Sequence, residues 1–284
     1  MDTKTETDLF ESQFADPVVI DQVNELIASS NATLGVGGGG SHFDARRMAI
    51  SVGYMKAFGL SQGYCVEIGS LDYLTAKVVW SFFPQAQVVG TRHDLRHRPM
   101  PFPDGSVDNI VCLEVIEHIS DIRYRQATTL DGIFYFLEEV FRVLRVGGRA
   151  LISTPNAASL WSMMQVLREQ PPMMYEWHFR EFTMSELRQI VEHCGFKVVA
   201  HNAEYAWHLW DFSFITRFLE ETRFSCANRG DDQFIVIEKP AVSERRPHAL
   251  NLPSNLRHYP ERLALKTFLR KLKWKLGMRP TPRR

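Results

Sequence analysis

The most concentrated chemistry in the chain lies in one short string, Glu114-Val115-Ile116-Glu117-His118. On a helical turn, positions i, i+3 and i+4 share a face, so the spacing predicts two carboxylates and an imidazole converging above a strand end. Hard oxygen donors with one imidazole suit Mg²⁺ or Mn²⁺ better than Zn²⁺. A cation there would lower the pKa of an acceptor hydroxyl and make its oxygen nucleophilic at neutral pH. The same string also admits a metal-free role, with His118 as general base beside Glu114, or a structural role with the imidazole bonded to backbone.

A second candidate is Val66-Glu67-Ile68-Gly69-Ser70, where an acid and a glycine end an apolar run before a helix. Ligands of open parallel sheets bind at such strand ends. A dinucleotide fingerprint needs G-x-G-x-x-G, and only Gly69 is in place, which argues against NAD. Four consecutive glycines, Gly37–Gly40, must form a loop. Ser-His-Phe follows them where a phosphate cradle would have Lys-Ser or Lys-Thr, so they are a linker or a cover over a ligand.

The elements that must position these residues are legible in the periodicity. A weakly helical stretch covers 16–29, and a helix over 43–58 is capped by Ser41 or Asp44. Strands are expected at 64–68, 86–90, 108–113 and 149–154, with helices over 72–82, 131–145 and 185–195. Apolar strand-like runs alternating with amphipathic helices mean a doubly wound, mostly parallel α/β sheet. Two late strands, 197–202 and 233–239, follow, the last bounded by the turn signal NRGDD and antiparallel. Domain limits are set at 1–60 for an N-terminal extension, 61–240 for the catalytic domain and 241–284 for a basic tail.

Composition frames the rest: 284 residues, 45% hydrophobic and 23% charged, fit a soluble globular domain with appendages. Lys+Arg and Asp+Glu number 33 each, yet residues 240–284 hold a net +10, which leaves the remainder at −10. That negative body opposes nucleic acid as a partner. In the tail, Leu265, Phe268, Leu269, Leu272 and Leu276 form an apolar stripe among lysines and arginines. Residues 260–276 therefore read as a helix for an anionic membrane surface or an acidic protein face. The four cysteines stand far apart with no CxxC, the N-terminus lacks an apolar core, and no eighteen apolar residues run together. A cytoplasmic protein, with or without peripheral membrane contact, is expected.

Four strings in order, VEIGS, PFPDGSVDNIVCLEVIEH, RVLRVGGRALISTPN and HFREFTMSELRQIVEHCGF, resemble class I S-adenosylmethionine-dependent methyltransferases of the ubiquinone- and menaquinone-biosynthesis-like subgroup. The likeness covers about residues 60–240 and implies a Rossmann-like fold. By this resemblance Glu67 lies near the donor's methionine moiety, and Gly69 is the first glycine of the family's G-x-G-x-G loop. Ser70-Leu71-Asp72-Tyr73 replaces the other glycines, and the loop is one residue short. Arg92 stands where the family keeps an acid for the ribose hydroxyls, so Asp94 is the nearest candidate for ribose or adenine. The third strand and its helix look trimmed.

The E-x-x-E-H string with a later histidine is also similar to the metal site of terminal small-RNA 2′-O-methyltransferases and of some ubiquinone-pathway O-methyltransferases. That likeness makes Glu114, Glu117, His118 and His178 the metal set, with His118 and Glu114 catalytic. Glu67, Gly69, Ser70 and Asp94 make the cofactor set. Aromatics at Trp161, Tyr175, Trp177, Phe179, Tyr205, Trp207, Trp210 and Phe212 could wall an acceptor pocket, and methionines around Pro171-Pro172 suggest a lid. The expected activity is O-methylation of a small-molecule, glycan or lipid-linked acceptor from S-adenosylmethionine, with Mg²⁺ or Mn²⁺ as a possible helper. The rival expectation is a methyltransferase-fold protein with a degenerate cofactor loop that acts as a non-catalytic binding partner.

Overall fold

A computed structural model describes residues 10–34, 44–121, 130–207 and 209–242. The Gly37–Gly40 loop, Ser41 and the amphipathic stripe of 260–276 lie outside them. Two helices, α1 (Pro17–Leu34) and α2 (Ala45–Phe58), precede the sheet. Then follow β1 (Tyr64–Ile68), α3 (Leu74–Ser81), β2 (Gln87–Thr91), β3 (Val107–Leu113) and a 3₁₀ turn at Ile116–His118. Beyond it come α4 (Asp131–Val143), β4 (Leu144–Pro155), α5 (Leu160–Leu167), α6 (Met184–His193), β5 (Lys197–Glu204), α7 (Ser213–Glu221) and β6 (Asp232–Glu238).

The sheet order is β2-β1-β3-β4-β6-β5. β1, β2, β3 and β4 are parallel, and β6 inserts antiparallel between β4 and β5. This is the mostly parallel α/β sheet with an antiparallel last strand that the pattern implies. Residues 92–106 carry neither strand nor helix, so β2 is an edge and the chain returns from it directly to β3. After β1 the chain builds outward to β2 and then crosses to the other side of β1. The carboxyl ends of β1 and β3 therefore flank the switch point, where a crevice must open.

Alternation along the strands sorts two apolar layers. Val66, Ile110, Cys112, Ile152 and Ile237 face α4 and α6. Cys65, Val111, Leu113, Leu151 and Val236 face α1, α2 and α3 in one cluster with Val23, Met48, Tyr54 and Met55. Because α2 lies between α1 and the sheet, it is buried almost all round, as a helix sandwiched on two sides must be. A third, smaller cluster joins α5 and α7 through Leu160, Trp161, Tyr205, Phe212, Ile215 and Leu219. Met163, Met164 and Met174 pack against it, so these methionines are partly embedded.

Gly53 shows how tightly the N-terminal segment is seated. A Cβ there would stand 2.5 Å from the carbonyl oxygen of Phe14 and 3.0 Å from its Cα. Phe14 is in turn stacked on Tyr54 at 3.9 Å between ring centroids. Gly53→Ala should therefore lower stability by about 1–3 kcal/mol despite the better helix propensity of alanine. Equal or higher stability in urea titration would show that this approach is not close.

Candidate active site

The crevice at the switch point is a cleft of about 330 Å³, lined from β1 by Glu67, Gly69 and Ser70 and from β3 by Leu113 and Glu114. That volume is within the range of small-molecule sites. At Gly69 the backbone takes φ +132°, and an added Cβ would meet nothing within 4 Å among the described residues. Its N–H donates to the Thr91 carbonyl at 3.0 Å. Ser70 turns the chain into α3, its hydroxyl accepting from the Asp72 N–H at 3.1 Å.

The replaced glycines leave the cleft open. Leu71 turns behind the loop and covers β2 where Gly90 leaves room; a Cβ on Gly90 would lie 3.2 Å from the Leu71 Cγ. Tyr73 does line the cleft, at its exposed side, with the Arg92 guanidinium 5.1 Å from its ring centroid. Arg92 is thus placed to stack on a ring. Asp94 is not among the lining residues. Arg96 holds both of its carboxylate oxygens, at 2.8 and 2.6 Å, and this fork keeps the carboxyl well below its ordinary range.

Glu67 is buried, and its Oε2 accepts from the Trp80 Nε1–H at 2.8 Å. Burial pushes its pKa up to about 8, against the opposing effect of the Trp80 hydrogen bond. On the opposite wall, Arg47 from the first turn of α2 is 5% exposed. Its Nη2 reaches Thr75 Oγ1 at 3.3 Å and Asp44 Oδ1 at 3.5 Å. Its Nε and Nη1 have no hydrogen-bond partner among the described residues. Asp44 precedes α2 without capping it and instead accepts from Trp207 Nε1 at 3.1 Å. Sequence reasoning missed Arg47. The available signal was a cation in a helix's first turn, where the macrodipole disfavours one, on the face that also carries Met48 and Ser51.

The E-x-x-E-H string is not a helical turn, which corrects the expected convergence of all its side chains. β3 ends at Leu113, Glu114 takes a left-handed φ of 56°, and only Ile116–His118 coil, as 3₁₀. That kink separates Glu114 from its partners. Its N–H donates to the Ser153 carbonyl at 3.1 Å, and its carboxylate accepts from the Ser153 hydroxyl at 2.5 Å, on the cleft wall. Glu117 is fully buried and accepts from Thr154 Oγ1 at 2.8 Å, while its Oε1 has no hydrogen bond among the described residues. Burial raises both carboxyls; Arg47 opposes the rise at Glu114, and Glu114 adds to it at Glu117.

His118 is brought together with His178, their rings 4.7 Å apart and near perpendicular. Donor atoms of Glu117, His118 and His178 lie within 4.8 Å of one another, and Glu114 is not in that group. His118 is 41% exposed, its Nδ1 3.3 Å from the Trp177 carbonyl, and burial together with the neighbouring His178 lowers its pKa. His178 bonds through Nδ1 to Glu181 Oε1 at 2.6 Å. The N–H groups of Phe179 and Arg180 donate to the Glu117 carbonyl, sewing the histidine loop to the β3 turn. Of the expected aromatic wall, Tyr175, Trp177 and Phe179 stand exposed beside this pair, and Trp210 is exposed elsewhere. Trp207 adjoins Arg47, its ring centroid 5.6 Å from the guanidinium, while Trp161, Tyr205 and Phe212 are core.

The Methyltransferase domain family matches residues 10–201. A Mycolicibacterium smegmatis protein named "probable S-adenosylmethionine-dependent methyltransferase" is 33% identical over 148 residues, 49% of this chain and 50% of that protein. A Mycobacterium tuberculosis protein of like name is 30% identical over 158 residues, 54% of this chain and 50% of its own length. The chain spans about half the length of the curated relatives it matches. Among solved structures, a SAM-dependent methyltransferase from Archaeoglobus fulgidus is similar at 15% identity and a TM-score of 0.48. That likeness covers 68% of this chain and 94% of that one.

Glu67 carries a pH prediction. An unfolded glutamate ionises near pH 4.3, about four units below the folded residue. Between these values the folded chain holds a proton that the unfolded chain has released. Stability therefore falls as pH rises through that window and levels off above about 8. Glu67→Gln should flatten this fall and melt higher than the parent protein at pH 8, with little difference at pH 4. An unchanged pH slope of the melting temperature would contradict it.

Proposed function

The chain belongs to the methyltransferase domain family, and from that premise we propose that it moves a methyl group from S-adenosylmethionine to an acceptor hydroxyl oxygen. The observation that carries the proposal is the cleft at the switch point, with Glu67 and Gly69 at the end of β1, Glu114 at the end of β3 and Arg47 on its wall, a buried guanidinium whose Nε and Nη1 have no hydrogen-bond partner among the described residues. Asp44 pairs with its Nη2, and a ligand that brings a carboxylate would complete the hydrogen bonding of the other two nitrogens. The donor's amino-acid end has one. Glu67, Gly69 and Ser70 line the same cleft, and the turn of Leu71 toward Gly90 keeps it clear. These residues fit the donor; Asp94, held by Arg96, does not contribute to the fit.

When bound, S-adenosylmethionine supplies a methyl group already activated by its sulfonium. The protein then has to align the acceptor oxygen, exclude water and accept one proton. His118 and His178 are the groups suited to take that proton. Glu117 steadies them from the buried side, and Tyr175, Trp177 and Phe179 offer stacking surface to an acceptor of small-molecule, glycan or lipid-linked class. Glu114 holds the turn that separates the two halves of the site.

A metal-assisted variant is favoured by one observation, the convergence of Glu117, His118 and His178 with a Glu117 oxygen that has no hydrogen bond among the described residues. One carboxylate and two imidazoles suit Mn²⁺ better than Mg²⁺, and such an ion would acidify the acceptor hydroxyl. The non-catalytic alternative is favoured by the Arg96 fork on Asp94.

Calorimetric titration with S-adenosylmethionine and S-adenosylhomocysteine separates enzyme from binding partner. Both should bind, and Arg47→Gln should weaken them by roughly 10- to 100-fold, the worth of a charged hydrogen bond. No heat at millimolar ligand would end the methyl-transfer proposal. For the metal, Mn²⁺ titrated into the chelator-treated protein should bind with Glu117 intact and fail with Glu117→Ala; equal binding by both would remove Glu117 from the ligand set.

A further inference from the structure

His118 and His178 are held very differently. His118 is the more exposed, and the one hydrogen bond of its ring among the described residues is a long 3.3 Å contact to a carbonyl. The His178 side chain is 7% exposed and Glu181 only 3%, with Nδ1 and Oε1 2.6 Å apart. The same Oε1 also accepts from the Met174 N–H at 2.6 Å. One buried oxygen thus ties the start of the segment 174–181 to its end. Immediately beyond, Thr183 and Glu186 form a capping box at the start of α6, and Arg180 pairs with Glu186 at 3.0 Å, so Glu181 sits on a fixed base.

We propose that Glu181 is a positioning residue that keeps the neutral His178 ring in its Nδ1–H tautomer, so that the Nε2 lone pair is presented to the pocket shared with His118 and Glu117. This Glu181 oxygen already accepts from the Met174 N–H and faces the ring as an acceptor, so the proton of the contact belongs on Nδ1. The second nitrogen of a neutral imidazole is then an acceptor. A lone pair held in this way is what a hydroxyl proton requires, and what a divalent cation requires as well. Its use in methyl transfer rests on the function proposed above. The tautomer itself does not.

The test uses the full-length protein without ligand, labelled with ¹⁵N-histidine, and two-bond ¹H–¹⁵N correlation spectra at pH 8. Among the ten histidines, His178 is assigned by its loss in His178→Gln. The parent protein should show His178 as Nδ1–H. Glu181→Ala should move it to the Nε2–H form that a free histidine side chain prefers, whereas Glu181→Gln, whose amide oxygen still accepts, should retain Nδ1–H. An Nε2–H or doubly protonated His178 in the parent protein, or an unchanged tautomer in Glu181→Ala, overturns the proposal. Should Glu181→Ala fail to fold, the parent protein and Glu181→Gln still decide. Donor calorimetry is read separately, so a failed methyl-donor titration with an Nδ1–H His178 would sink the function and leave this assignment standing.

Discussion

The register between β3 and β4 is the constraint on which the site depends. It sets Leu113 beside Ser153, so the Ser153 carbonyl and hydroxyl meet the backbone and carboxylate of Glu114 as the chain leaves the sheet. A non-glycine residue at positive φ costs about 1–2 kcal/mol, and these two bonds offset that strain. Thr154, the next residue along, takes Glu117. Two neighbouring hydroxyls on one strand therefore divide the carboxylates of the following turn between the cleft and the histidine pair. A slip of one residue would exchange the faces of Ser153 and Thr154 and undo that division.

Much of the architecture was legible because it rests on periodicity. Strand β1 coincides with its expected span, and β3, α4 and α6 differ from theirs by one or two residues, since apolar alternation and helical stripes both report burial. The start of β4 at Leu144 was not legible, because Arg-Val-Gly-Gly reads as a turn while it pairs beside β3 only at Leu144. Helices α5 and α7 were missed for another reason. Their aromatic and methionine residues pack locally against Tyr205 and Phe212 and carry no signal that distinguishes a core from a ligand wall.

The site was half legible. Glu67, Gly69, Ser70 and Glu114 line the switch-point cleft, and Glu117, His118 and His178 come together beside the turn after β3, because strand ends can be located from sequence. Their grouping was not, since it turns on a single backbone kink at Glu114 that spacing cannot reveal. Arg47 and Glu181 are distant in sequence from the strings they adjoin, and that proximity arises only when α2 and the 174–181 segment are folded against the sheet. Asp94 shows the converse limit. Its neighbour two residues on, Arg96, occupies the carboxylate more closely than any sequence-level argument about a ligand could anticipate.

The packing of Leu71 over Gly90 has a wider meaning for how such clefts tolerate change. A loop can surrender its small residues if the adjacent edge strand supplies one in their stead, because the bulk then escapes rearward. Width at the front is thereby governed from the opposite side of the loop, and a bulkier residue in β2 would narrow the crevice without ever touching whatever occupies it.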